Sequence, residues 1–125
     1  MRIYTGYFAI LQKLKNPVSI CAIPPKWSDC PNFKLLAPSK DILLGAKSGE
    51  ITQDQYTKRF NAYLKTLDQE EVLQQLKELV GSKTITLVCF EKPNDFCHRH
   101  LVADWLEPFC TRIPERQTLP KLFNL

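Results

Sequence analysis

Along this chain, short runs of apolar and β-branched residues alternate with longer stretches in which apolar side chains recur every three or four positions. That pattern predicts strands joined by helices, with Pro and Gly as punctuation. Arg2-Ile3-Tyr4-Thr5 is rich in strand formers and stops at Gly6, after which Phe8, Leu11 and Leu14 recur at helical spacing up to Asn16-Pro17. Val18 to Ile23 reads as a second short strand, ended by Pro24-Pro25 because proline has no N–H for a central ladder. The opening is therefore β-α-β. From Pro24 to Pro38, four prolines interleaved with Trp27, Cys30 and Phe33 predict a long loop, and its aromatic residues argue that it is ordered.

Two helices announce themselves by their caps. Thr52 with Gln55 forms a capping box, Ile51 can staple onto Tyr56, and Tyr56, Phe60, Tyr63, Leu64 and Leu67 share the inward face. Asp68 with Glu71 starts the next, Leu67 can staple onto Val72, and Leu73, Leu76 and Leu79 are expected to face inward before Gly81 supplies a left-handed end. Thr84 to Phe90 is an almost unbroken apolar, β-branched run, as in a strand covered on both faces, and is expected to be the central one. After a loop from Glu91 to Phe96, Leu101, Val102, Trp105, Leu106 and Phe109 return to helical spacing, and Pro108 marks the end. The tail from Thr111 to Leu125 shows little periodicity. Residues 1–125 are thus expected to form one α/β domain, a small three-layer sandwich with a short, mostly parallel sheet and flanking helices.

Composition narrows the classes. At 125 residues, 44% hydrophobic and 24% charged, the chain has the make-up of an ordinary globular domain, and it contains nothing like the roughly 18 uninterrupted apolar residues of a membrane span. Met1 to Tyr7 lacks the apolar segment of a secretory signal, so a cytoplasmic location is expected, with no membrane partner. Five cysteines without a Cys-x-x-Cys pair read as free thiols. The net charge of +4 favours anionic partners, yet its Lys and Arg residues are scattered, which is weak support for nucleic acid.

In an open parallel sheet, ligands bind beyond the carboxyl ends of the strands. Here that rule selects Thr5-Gly6-Tyr7, Ile23 to Trp27, and Glu91 to Arg99, so Tyr7, Lys26, Trp27, Glu91, Cys97, His98 and Arg99 are expected to share a pocket. Cys97, His98 and Arg99 stand where a helix begins, and the free N–H groups there favour an anion or a thiolate. Cys97 as a buried hydrophobe, His98 as a satisfied cap and Arg99 as a surface charge are the bland alternatives. Glu91, directly after the most buried strand, could be a general base or a partner for Arg99 or Lys26.

Other chemistries find little footing. A Cys and an Arg spaced as in a phosphatase loop occur only at Cys110 and Arg116, with Pro114 between them and no helix to follow. Cys89, Cys97 and His98, with Cys21 or Cys30, could supply zinc ligands, but their spacing matches no familiar site, so no metal and no cofactor are expected. Glycine-rich phosphate loops are absent from a chain with four glycines.

The run Val88-Cys89-Phe90-Glu91-Lys92-Pro93-Asn94-Asp95-Phe96-Cys97-His98-Arg99, followed by an apolar helix through Leu106, resembles the signature of the domain of unknown function 488 (DUF488) family. Ile3 to Phe8, Pro25-Lys26-Trp27 and Leu36-Ala37-Pro38 extend the resemblance, in order, over most of the chain. It implies a compact α/β fold and no particular activity. Larger members tend to carry Asp-x-Arg after the second strand, where this chain has Ser19 to Pro24, as in shorter members with a Pro-Lys-Trp loop. Lys26 is the natural substitute cation.

The expectation is a small enzyme acting on a nucleotide or other phosphorylated or anionic small molecule. Glu91, Cys97 and His98 would be catalytic, and Thr5, Tyr7, Lys26, Trp27, Cys89 and Arg99 would bind the ligand. A non-catalytic nucleotide or nucleic-acid binding module, or an interaction protein whose Cys-His-Arg cluster only caps a helix, are the competing readings. The sequence does not name an oligomeric state.

Overall fold

A computed structural model describes residues 1–91 and 95–115. Lys92 of the signature, Arg116 and the remainder of the tail lie outside the described residues. The sheet has four strands, β1 (Arg2–Tyr7), β2 (Pro17–Ser19), β3 (Thr84–Cys89) and β4 (Thr111–Arg112), in the order β2-β3-β1-β4 and all parallel. The helices are α1 (Lys40–Ser48), α2 (Gln53–Leu64), α3 (Gln69–Val80) and α4 (His98–Leu106), with 3-10 turns at Phe8–Lys13, Lys34–Leu36 and Glu107–Phe109. It is the expected small α/β domain, with β3 in the interior of the sheet between β2 and β1.

Capping residues start the helices as read. Thr52 and Gln55 close both halves of the capping box, at 3.1 and 2.7 Å, and Asp68 accepts from the Glu71 N–H at 3.1 Å. Each such cap contributes about 1 kcal/mol. Gly81 ends α3 with φ +74°, a conformation that disfavours any side chain. Phe60, Leu64, Leu76, Ile85, Leu87, Val102 and Leu106 are fully buried and knit α2, α3 and α4 to the sheet.

Successive strand side chains alternate between the two faces. Leu14, just after the first 3-10 turn, packs over Gly6 and the methyl of Thr86, whereas Cys89, on the opposite face, meets His98 of α4. The layers are therefore the 3-10 segment, the sheet, and α3 with α4.

Several boundaries differ from expectation for local reasons. Strand β1 does not stop at Gly6 but runs through it to Tyr7; a Cβ at Gly6 would stand 2.8 Å from Leu14, so the glycine marks a close approach rather than an end. Phe8 and Leu11 fall on a 3-10 turn broken at Ile10, with Leu14 at its end, since a strict three-residue spacing fits three residues per turn as well as it fits an α-helix. The second strand covers Pro17–Ser19 only, because it is an edge strand that leaves the sheet after Ile20 donates to Val88. Leu79 is exposed rather than inward: it shares the direction of Val72 but sits in the last turn of α3. Phe109 is likewise exposed, in the 3-10 turn that Pro108 imposes after α4. Helix α1 was not anticipated; Ser39 caps it and Gly49 ends it at φ +82°, but only Ile42 is buried, too weak an apolar stripe to be seen. The tail also opens with an unanticipated strand, β4, which at two residues is too short to show alternation. Tyr63 donates to the Leu35 carbonyl at 2.6 Å and pins the proline-rich loop to α2.

Candidate active site

Because every strand runs the same way, the loops after β1, β2 and β3 leave one edge of the sheet. Phe8, Trp27 and Phe90, one from each loop, touch there, with ring centroids 6.0 Å apart for Phe8–Trp27 and 5.0 Å for Phe8–Phe90. Beside this junction lies a pocket of about 630 Å³. Cys21 to Ile23 form one wall, Leu43, Ala46 and Lys47 of α1 another, and Ile51 to Gln53 with Tyr56 of α2 a third. Cys89, Phe90, Glu91, Phe96, Cys97 and His98 complete it from the end of β3 and the start of α4.

Two sulfurs and an imidazole meet at the base. Cys89 Sγ lies 3.6 Å from His98 Nδ1, and Cys97 Sγ lies 3.9 Å from the same nitrogen. His98 Nε2 is 2.6 Å from the Ile20 carbonyl oxygen, which can only accept, so Nε2 carries a proton and Nδ1 faces the thiols. The Phe60 ring packs edge-on against the imidazole at 5.4 Å and holds its orientation. Both cysteines and His98 are buried, with Cys97 4% exposed.

This setting pushes the Cys97 thiol down to about 3. The Cys89 thiol directed at its sulfur is the largest cause; burial opposes it, and His98 and the backbone N–H of Arg99 add to it. Cys97 occupies the N-cap position of α4, where that N–H is aimed at the sulfur without a closed cap hydrogen bond. Burial pushes Cys89 well up, so Cys89 keeps its proton. Burial alone would lower His98, but the adjacent Cys97 outweighs it and raises His98, giving a thiolate–imidazolium pair. Desolvation, then the Cys97 charge, raises the carboxyl of Glu91 at the pocket mouth.

The expected site residues divide. Glu91, Cys97, His98 and Cys89 come together in the pocket. Thr5, Tyr7, Lys26, Trp27 and Arg99 are not among its lining. Trp27 is 63% exposed on the outer side of Phe8, and Lys26 is exposed beside it. Arg99 is neither a surface charge nor a pocket cation. It is 0% exposed and holds Glu115 through two 3.0 Å bonds, from Nε and Nη2. The Thr5 hydroxyl supports the same carboxylate, whose pKa is lowered: burial resists this, and the Arg99 and Thr5 hydrogen bonds overcome it. The helical twist explains the split, since consecutive residues on a helix point about 100° apart. Sequence reasoning raised Cys21 only as a possible zinc ligand and missed Tyr56; Tyr56 sits on the inward stripe of α2, and periodicity cannot tell a core position from a pocket wall.

Among the described residues, Cys89, Cys97 and His98 have donor atoms within 4.8 Å of one another. Their orientation suits a thiol cluster better than a metal. Cys89 Sγ is 3.6 Å from Nδ1 and 3.7 Å from Nε2, so it lies against the ring. A tetrahedral ion on Nδ1 would place that sulfur roughly 5 Å from Nε2.

The family model DUF488-N3a, described as the active DUF488-N3 subclade, matches residues 9–108. The chain belongs to the DUF488 family. No curated protein and no solved structure matches it. No helix among the described residues is long and apolar enough to cross a membrane.

Proposed function

We propose that the protein is an enzyme that uses the Cys97 thiolate as a nucleophile on a small anionic molecule, with nucleotides and other phosphorylated compounds as the first candidates. One observation carries the reading: a buried thiolate beside an imidazolium at the base of a pocket large enough for a small ligand. Cys89 and, after it, His98 keep Cys97 ionised. Glu91, its carboxyl raised by desolvation and by the Cys97 charge, gives a proton to the leaving group at the pocket mouth. Lys47 takes the anionic end, in place of Arg99 and Lys26, and Tyr56 with Phe96, whose rings meet edge to face at 5.0 Å, contact the apolar part. The description of the matched subclade as active is in keeping with turnover.

Limited alkylation with iodoacetamide at pH 6, followed by mass mapping, tests the nucleophile. Cys97 is expected to label first, ahead of the more exposed Cys30 and Cys110. A Cys97 that stays unmodified while those two react would make it a packing residue. A nucleotide and phosphate panel that slows labelling of Cys97 would identify the ligand class.

A further inference from the structure

Cys89 serves the mechanism above only by directing its thiol at Cys97, yet it is a fully buried thiol at the end of β3 whose sulfur lies within 4.8 Å of the Cys97 sulfur. We propose that Cys89 and Cys97 are a resolving and an attacking thiol, and that the pocket reduces small organic hydroperoxides by two electrons, closing a Cys89–Cys97 disulfide. This rests on Cys97 being the nucleophile.

The steps balance with groups already in the pocket. Cys97 attacks the distal oxygen of the hydroperoxide, the O–O bond breaks, and the departing alkoxide takes its proton from Glu91; Cys97 becomes a sulfenic acid and the substrate an alcohol. Loss of the thiolate removes the charge that kept His98 protonated, and the buried ring becomes a neutral base once its proton passes to the solvent-connected Glu91. His98, 3.6 Å from Cys89 Sγ, then accepts the Cys89 proton as that sulfur attacks Cys97. The disulfide forms, and hydroxide leaves with a proton from His98 as water. An external thiol, two equivalents per turnover, restores both groups.

The required movement is small. Closing from at most 4.8 Å to a disulfide bond is within the reach of one rotamer change, which swings a cysteine sulfur by roughly 3 Å. No side-chain cap bond holds Cys97 at the start of α4. The apolar walls at Leu43, Ile51 and Phe96 suit an alkyl or aryl hydroperoxide. Cys21 is also hydrogen-bonded to Cys89, so it is the neighbour against which the pairing is judged.

The test uses the full chain and cumene hydroperoxide. Titratable thiols should fall from five to three per chain, one peroxide should be consumed per two thiols lost, and a non-reducing digest should join Cys89 to Cys97. Cys89→Ser should leave a Cys97 sulfenic acid that dimedone traps, and Cys21→Ser should leave the disulfide intact. A wild type that accumulates the Cys97 sulfenic acid without a disulfide, or that links Cys21 to Cys89, overturns the pairing and leaves the nucleophile standing. A Cys97 that neither oxidises nor alkylates removes the nucleophile as well. The wild-type digest decides the pairing even if Cys89→Ser fails to fold.

Discussion

Two neighbouring residues at the start of α4 point into different chemistry. On one side His98 joins Cys97 and Cys89 at the base of a pocket; on the other, Arg99 is sealed against Glu115 and Thr5. Both sides hold charge out of water. The pocket side keeps a thiolate next to an opening, where a ligand can reach it. The other side pairs its charges through Nε and Nη2 of Arg99, with Nη1 left without a partner among the described residues, and this pairing ties the segment after β4 to α4. A second ion pair, from Arg112 to Asp104, ties β4 itself to α4. The difference teaches that a charged motif at a strand end can hold a site and a structural clamp within one helical turn.

The largest expected effect is on the clamp. Removing one partner of a buried pair leaves the other charge unpaired, so Arg99→Ala and Glu115→Ala should each cost about 3–5 kcal/mol in denaturant unfolding. If either variant loses less than about 1 kcal/mol, the clamp reading is wrong. The pair also sets an acid limit. Glu115 has a lowered folded pKa, so its contribution is present above the unfolded value of about 4.3 and is lost as pH falls through the folded value.

A smaller effect sharpens the other side. With its thiol pushed down to about 3, Cys97 should alkylate at nearly the same rate at pH 9 and at pH 6. An ordinary thiol slows about tenfold per unit below its pKa of about 8.5. A tenfold fall per unit for Cys97 would mean that the imidazolium pair does not form.

The smallest expected effect is none. Elemental analysis of purified protein should find no stoichiometric zinc, because Cys89 lies against the imidazole ring instead of in a tetrahedral array. One zinc per chain, lost in Cys97→Ser, would turn the pocket side of the comparison into a metal centre.

Much of this was written in the residues themselves. The caps at Thr52 and Asp68, the apolar run from Thr84, and the Cys-His-Arg start of α4 all act through neighbours in sequence, so local physics exposes them. They determine the α/β class and place Cys97 and His98 at a strand-end pocket. Tertiary structure alone decided what depends on distant partners. Ile20 orients His98 across 78 positions, Cys89 directs its thiol at Cys97, and α1, weakly amphipathic, becomes a pocket wall through Leu43 and Lys47. Arg99 is the plainest case: next to a thiol and a histidine it reads as a ligand cation, and only the return of the chain at Glu115, 16 residues later, shows where its charge is neutralised. Sequence carries the residue and its face on the helix; which face meets a pocket and which meets a carboxylate is set by packing.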